Sequence, residues 1–382
     1  MNENVVLIIS ISLIIISSPF FAKVVKLPVT PIEIILGSLA GYFGFIEQEH
    51  LFNLIAEFGF LYLMFIAGTE INLKNIVKTP FTIMKRIVIY LGILYGFSLS
   101  FSLYFDLGKI FIVLLPLISV GLIATLSKEY GKTPWLNVAM TAGAMGEIVS
   151  IGVLTLTSAA LHSGFGMELG KTIVLLISFL VVMVILFRIM QLVFWWFPVI
   201  STMLMPHKDN VEQDIRLSMG IFFLLVGVML YLDLELAFGA FLAGIFIPTF
   251  FEHKRELPHK LASYGFGFVV PIFFIHIGSS FHLGALSIDG LIVKAFIITF
   301  VMIAMRVIAS LVFIKKLGFR DSILMGLSHS MPLTLLIAIA TLAYNAHSID
   351  TMNYYALILA ALFQVISVTI IIKIVHNKRK DG

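Results

Sequence analysis

Apolar residues along this chain come in long runs separated by short polar breaks. A bilayer core about 30 Å thick takes about 20 apolar residues of helix to cross. Thirteen runs approach that length: 4–21, 28–46, 51–71, 82–105, 110–127, 134–160, 171–197, 215–232, 236–251, 262–281, 288–315, 321–344 and 352–375. Each is read as a membrane-crossing helix. No stretch is left over for a soluble domain, so residues 1–382 form a single transmembrane unit. The longest polar break, MPHKDNVEQDIR (Met205–Arg216), is a linker near the middle of the chain. The opening MNENVVLIIS has no basic residues ahead of its apolar run and no cleavage motif after it. It reads as a retained helix, not a signal peptide.

Composition agrees with this map. Hydrophobic residues make up 60% of the chain and charged residues 12%, against about 25% charged in a soluble domain. Such a chain cannot cover itself with polar surface in water. The net charge of +4 comes from basic residues scattered over many short loops. They form no single basic face, which excludes a nucleic-acid partner. The absence of cysteine rules out disulfides and thiolate chemistry. The chain carries no nucleophile elbow, metalloprotease motif or nucleotide-binding loop, so neither an enzyme nor an ATP-driven pump is expected, and no cofactor.

The basic residues also orient the chain. Twenty of the 25 Lys and Arg lie in or beside odd-numbered connections and the C-terminal tail, three (Lys109, Lys171, Lys294) in or beside even ones, and Arg188 and Arg306 deeper within runs. Basic residues favour the cytoplasmic side. The N-terminus is therefore expected outside and the C-terminus in the cytoplasm, and the alternation supports an odd number of crossings.

A shift of seven runs lays the fifth on the twelfth. The fifth holds Pro116 in IVLLPLISVGLIA and the twelfth holds Pro332 in GLSHSMPLTLLIA. An odd shift reverses orientation, so such repeats are inverted. Proline removes a helix hydrogen bond, and at membrane depth the freed groups need protein or a water-lined cavity. Paired interrupted helices in opposed halves point to a transporter site; two ordinary proline kinks are the other reading.

Charge at membrane depth is costly and usually functional. Glu147, in TAGAMGEIVSIGVL, lies about 13 residues beyond Pro134, or about 20 Å along its helix. It is read as a working carboxylate, with a permanently protonated, hydrogen-bonded carboxyl as the alternative. Arg306, about nine residues before Lys315, is its natural charge partner unless it snorkels to the interface. Arg188, beside Trp195 and Trp196, is read as snorkelling. Glu70 ends the third run and taken alone is interfacial. His276 and His329 are candidate proton relays near neutral pH, or hydrogen-bonded structural residues.

Several segments resemble the monovalent cation:proton antiporters, in the branch with Kef-type potassium efflux proteins and Na⁺/H⁺ antiporters. They are LPVTPIEIILGSLAGYFGF, AEFGFLYLMFIAGTEIN, LELAFGAFLAGIFIP and VVPIFFIHIGSSFHL, and the likeness extends over nearly the whole chain. The resemblance implies an all-α fold of about thirteen transmembrane helices, with inverted repeats and two broken, crossing helices. It implies a homodimer in the bacterial inner membrane, with helices 1–3 and 8–10 as dimerisation scaffold, helices 4–6 and 11–13 as the ion-translocating core, and helix 7 linking them. The Kef-type cytosolic nucleotide-binding domain is not expected here.

By the same resemblance Glu147 stands at the exchange-site acid, Arg306 at the basic residue before the second broken helix, and Ser119 and Val120 at a Ser/Thr pair on the first. The sequence departs from the pattern in four places. The acid is Glu rather than Asp, its usual polar predecessor is Gly146, the Thr is Val120, and Leu333, Thr334 and Leu335 replace Arg-Gly-Glu after Pro332. The expected activity is electroneutral exchange of Na⁺ or K⁺ for H⁺, with the cation on Glu147, Ser119, Thr141 and backbone carbonyls of the fifth helix. A channel-like K⁺ efflux protein, a carrier of another substrate and a degenerate sensor are the alternatives.

Overall fold

The computed structural model describes residues 3–377 except 26, 48, 106, 132, 164–166, 206–211, 252, 255 and 282. Lys26, Lys132, Lys208, Arg255, Lys378, Arg379 and Lys380 of the basic pattern, and the middle of the 205–216 linker, lie outside the described residues. Every described element is helical.

In chain order the α-helices are α1 (Glu3–Val25), α2 (Val29–Tyr42), α3 (His50–Thr69), α4 (Leu73–Val77), α5 (Phe81–Tyr104), α6 (Phe111–Leu114), α7 (Gly121–Tyr130), α8 (Pro134–Ser163) and α9 (Met167–Trp196). Then follow α10 (Pro198–Leu204), α11 (Gln213–Tyr231), α12 (Leu236–Phe250), α13 (Leu257–Tyr264), α14 (Val270–Ser280), α15 (Leu291–Ser310), α16 (Ile314–Leu317), α17 (Phe319–Ser328), α18 (Leu333–Asn345) and α19 (Thr351–Asn377). All thirteen apolar runs have a counterpart. Among the described residues, nine helical stretches are long and apolar enough to cross a membrane. Two more runs are the shorter apolar helices α2 and α12. The last two are interrupted: α6 and α7 flank one break, and α17 and α18 flank another, bent by 43°. The chain is a multi-pass membrane protein.

The chain divides into two compact units, Met1–Lys74 with His162–Leu283 and Asn75–Leu161 with Gly284–Gly382. The first unit is built on two crossings with backbone against backbone. At one, α2 meets α14, and a Cβ on Gly41 would lie 2.8 Å from the Ser279 carbonyl oxygen. At the other, α3 meets α12, and a Cβ on Gly68 would lie 2.9 Å from the Gly244 Cα. Lipid offers no hydrophobic drive for helices to associate, so small residues that admit close approach do that work. The seven-run shift carries the second and third runs onto the ninth and tenth, and so exchanges these two crossings. The repeat suggested by two prolines is thus also present in the glycines. Between α13 and α14 one π-turn, Gly265–Val269, disturbs the backbone hydrogen-bond pattern. There the Tyr62 hydroxyl donates to the Leu261 carbonyl at 3.2 Å.

In the second unit, α15 packs on α5, α17 and α19. The interrupted helices cross half against half, with α7 on α17 and α6 on α18. The first break covers residues 115–120 and contains Pro116; the second covers 329–332, and Pro332 caps α18 with φ −79° and ψ 44°. Each proline therefore sits where its missing N–H interrupts no helical ladder.

Candidate functional site

Glu147 is fully buried on α8 and reaches into the first break. The Val120 N–H donates to its Oε2 at 3.0 Å, and the Ser119 hydroxyl donates to its Oε1 at 3.4 Å. Val120 caps the N-terminus of α7, so the carboxylate meets the positive end of that helix. It gets that close because the α8 face below it is small. A Cβ on Gly143 would lie 3.3 Å from Val120 Cγ2, and one on Gly146 would lie 2.7 Å from Ile118 Cδ1.

Arg306 is equally buried on α15. Its hydrogen bonds go to backbone carbonyls: Nη1 donates to Met302 at 2.7 Å, and Nη2 donates to Leu117, inside the same break. The unwound stretch therefore has its Leu117 carbonyl held by the Arg306 guanidinium and its Val120 N–H held by the Glu147 carboxyl. Acid and base, expected as partners, both engage the backbone of the first broken helix.

The remaining candidates separate. Ser119 lies 3.5 Å from the Thr334 hydroxyl at the start of α18, which joins the two breaks. If Thr334 donates to Ser119, both hydroxyls and the carboxylate form one chain of hydrogen bonds. Sequence reasoning missed Thr334, noting it only as a departure from the family pattern. Its signal was a hydroxyl two residues past a helix-breaking proline.

Thr141 is not brought to Glu147. Its hydroxyl donates to the Asn137 carbonyl at 3.0 Å. Six residues at about 100° each put its side chain on another face of α8, about 9 Å back along the axis.

His329 is buried in the second break. Its Nε2 is 2.9 Å from the Ala139 carbonyl and its Nδ1 is 2.8 Å from the Tyr90 hydroxyl. A carbonyl only accepts, so Nε2 carries the proton and Nδ1 is free to accept from Tyr90. His276 belongs to the first unit, where its Nε2 is 2.8 Å from Asn53 Oδ1 and its ring sits edge-on to Phe52. Glu70 caps α3 in that unit too. Glu147, Arg306, Ser119, Pro116, Pro332 and His329 all fall in the second.

The Gly146–Ile118 contact makes a prediction. Restoring a polar neighbour with Gly146→Asn drives a Cβ into Ile118, and overpacking of this kind costs about 1–3 kcal/mol. The thermal midpoint of Gly146→Asn is expected to fall, and that of Gly146→Asn with Ile118→Ala to recover. A double-mutant cycle showing no coupling between the two positions would refute the contact's role.

The family described as sodium/hydrogen exchanger, transmembrane, matches residues 8–378. Over 93% of this chain, YjbQ of Bacillus subtilis (strain 168), which carries a Na⁺/H⁺ antiporter name, is 26% identical. This chain spans only 60% of YjbQ's length. NhaS4 of a Synechocystis strain, named a Na⁺/H⁺ antiporter, is 25% identical over 74% of both chains. Among solved structures, the sodium proton antiporter MjNhaP1 of Methanocaldococcus jannaschii has the same fold, with a TM-score of 0.66, 15% identity and 96% coverage of both chains.

Proposed function

The chain belongs to the sodium/hydrogen exchanger family, and from that premise we propose that it exchanges Na⁺ for H⁺ at Glu147. The observation that carries this reading is the buried carboxylate at the mouth of a broken helix, held by the Val120 N–H and the Ser119 hydroxyl. A proton and a cation compete for it. Na⁺ is a hard cation that takes oxygen ligands, and the carboxylate with the Ser119 and Thr334 hydroxyls supplies three side chains bearing them. Either occupant neutralises the site, and an ionised carboxylate is too costly to carry across the membrane alone. With Gly146 beside it in place of a second acid, one carboxylate trades one proton for one cation, which supports electroneutral exchange.

The grouping of these residues in one compact unit supports that unit as the translocating core. The rigid crossings of the other, and the exposed apolar faces of α1 and α11, support a scaffold that meets lipid and a second copy of the chain. The basic pattern supports an outside N-terminus and a cytoplasmic C-terminus in a bacterial plasma membrane. The relatives' names favour Na⁺ over K⁺.

The test uses proteoliposomes with an imposed pH gradient and an internal pH dye. Addition of Na⁺ is expected to collapse the gradient without creating a membrane potential, and K⁺ to do so weakly. Cation current without proton movement would instead indicate a channel.

A further inference from the structure

A second set of buried polar atoms gathers around Arg306, and the exchange site uses none of them. Among the described residues, the Arg306 Nε–H has no hydrogen-bond partner. On α19, Gln364 is fully buried and its Nε2 donates to Met302 Sδ at 2.9 Å. Met302 is the residue whose carbonyl takes Arg306 Nη1. Among the described residues, the Gln364 Oε1 has no donor. On α5, the Tyr95 hydroxyl is buried and close enough to Arg306 to feel its charge. It faces the hydroxyl of Ser150, and among the described residues neither oxygen has a hydrogen-bond partner at ordinary geometry. Ser150 lies three residues beyond Glu147 on α8, so it shares that face of the helix one turn further along.

Around the Met302–Arg306 turn of α15, four helices thus contribute a donor (Arg306 Nε–H), an acceptor (Gln364 Oε1) and two hydroxyls able to do either. A bare cation would be repelled by the guanidinium, and an anion by the amide oxygen. Water donates and accepts, and a buried water typically makes about three hydrogen bonds to such groups. We propose that Arg306, Gln364, Tyr95 and Ser150 form an internal hydration site, and that its water delivers protons to Glu147 along α8. This route stays apart from the Ser119 and Thr334 oxygens. The proton-delivery half of the proposal rests on the exchange reading above; the hydration site does not.

Two measurements decide it. X-ray radiolysis generates hydroxyl radicals from ordered internal water, and mass spectrometry then reads the side chains they oxidise. In the intact protein Met302 is expected to label several-fold faster than Met229 and Met325, which are equally buried. Labelling of Met302 no faster than these controls overturns the hydration site. In proteoliposomes, Gln364→Leu and Ser150→Ala are each expected to lower the maximal exchange rate about tenfold while leaving the KM for Na⁺ within about twofold. Ser119→Ala is expected to do the reverse and raise KM. Wild-type rate and pH profile in both Gln364→Leu and Ser150→Ala overturn proton delivery. Radiolysis reads the water whether or not Na⁺ is exchanged, so failure of the exchange reading and failure of this one are told apart.

Discussion

Glu147→Gln is expected to cut Na⁺-driven proton movement in proteoliposomes by at least about 100-fold, the lower end of what loss of a proton-transferring group costs. The substitution preserves shape. The amide oxygen still accepts from the Val120 N–H, which lies 3.0 Å from Oε2, and the amide nitrogen can donate to the Ser119 oxygen. Satisfied buried partners cost little when exchanged for others of the same geometry, so the thermal midpoint should stay near that of the unsubstituted protein. What disappears is the negative charge and the site for a proton. Glu147→Asp withdraws the carboxylate by about one bond length from a contact that depends on close approach, and is expected to retain only partial exchange. Undiminished proton movement by Glu147→Gln on addition of Na⁺ would sink the proposed mechanism.

Arg306→Ala is expected to lose both fold stability and exchange. The arginine is fully buried, and Nη1 and Nη2 together hold the Met302 and Leu117 carbonyls. Within α15 the Met302 carbonyl loses little. The Leu117 carbonyl lies in an unwound stretch, and a buried acceptor left without a donor costs about 1–3 kcal/mol. The cavity left by so long a side chain adds about 2–5 kcal/mol. The first break then loses one of its two anchors, and Ser119 and Val120 shift with it. Displacement of a reacting geometry by about 1 Å can cost about 100-fold. Arg306→Lys brings an ammonium with one strong direction at a time instead of a planar fork, so it should recover part of the stability and a smaller part of the exchange. Thermal unfolding in detergent and exchange assays on the same preparations separate the two losses. Full exchange by Arg306→Ala would show that the Leu117 contact is dispensable.

Much of the architecture was legible because membrane helices announce themselves. Thirteen apolar runs, two interrupting prolines and two charges stranded among apolar residues are all local features of the sequence. Glu147 and Arg306 stood out because a charge in such a run has few bland explanations. What the sequence hid depends on direction and distance. Thr334 is 215 residues from Ser119 along the chain, and nothing local marks their hydroxyls as neighbours. Thr141 looked suitable by type and spacing, yet the turn of α8 points it elsewhere. Val120 seemed to have lost a polar group, but its backbone N–H does the holding, and every residue has one. Gly146 read as a missing polar neighbour; the structure shows Ile118 standing where such a side chain would go.

The two glycine crossings of the first unit bear on how the protein can be measured. Helices separated by interlocked side chains can slip past each other as rotamers change. Helices in backbone contact have no such freedom, since any slide drives a carbonyl into a Cα. Probes attached to α2 and α14, or to α3 and α12, should therefore keep one separation whether the solution holds Na⁺ or excess protons. The crossings supply a built-in ruler, against which a change in any other probe pair can be calibrated within the same molecule.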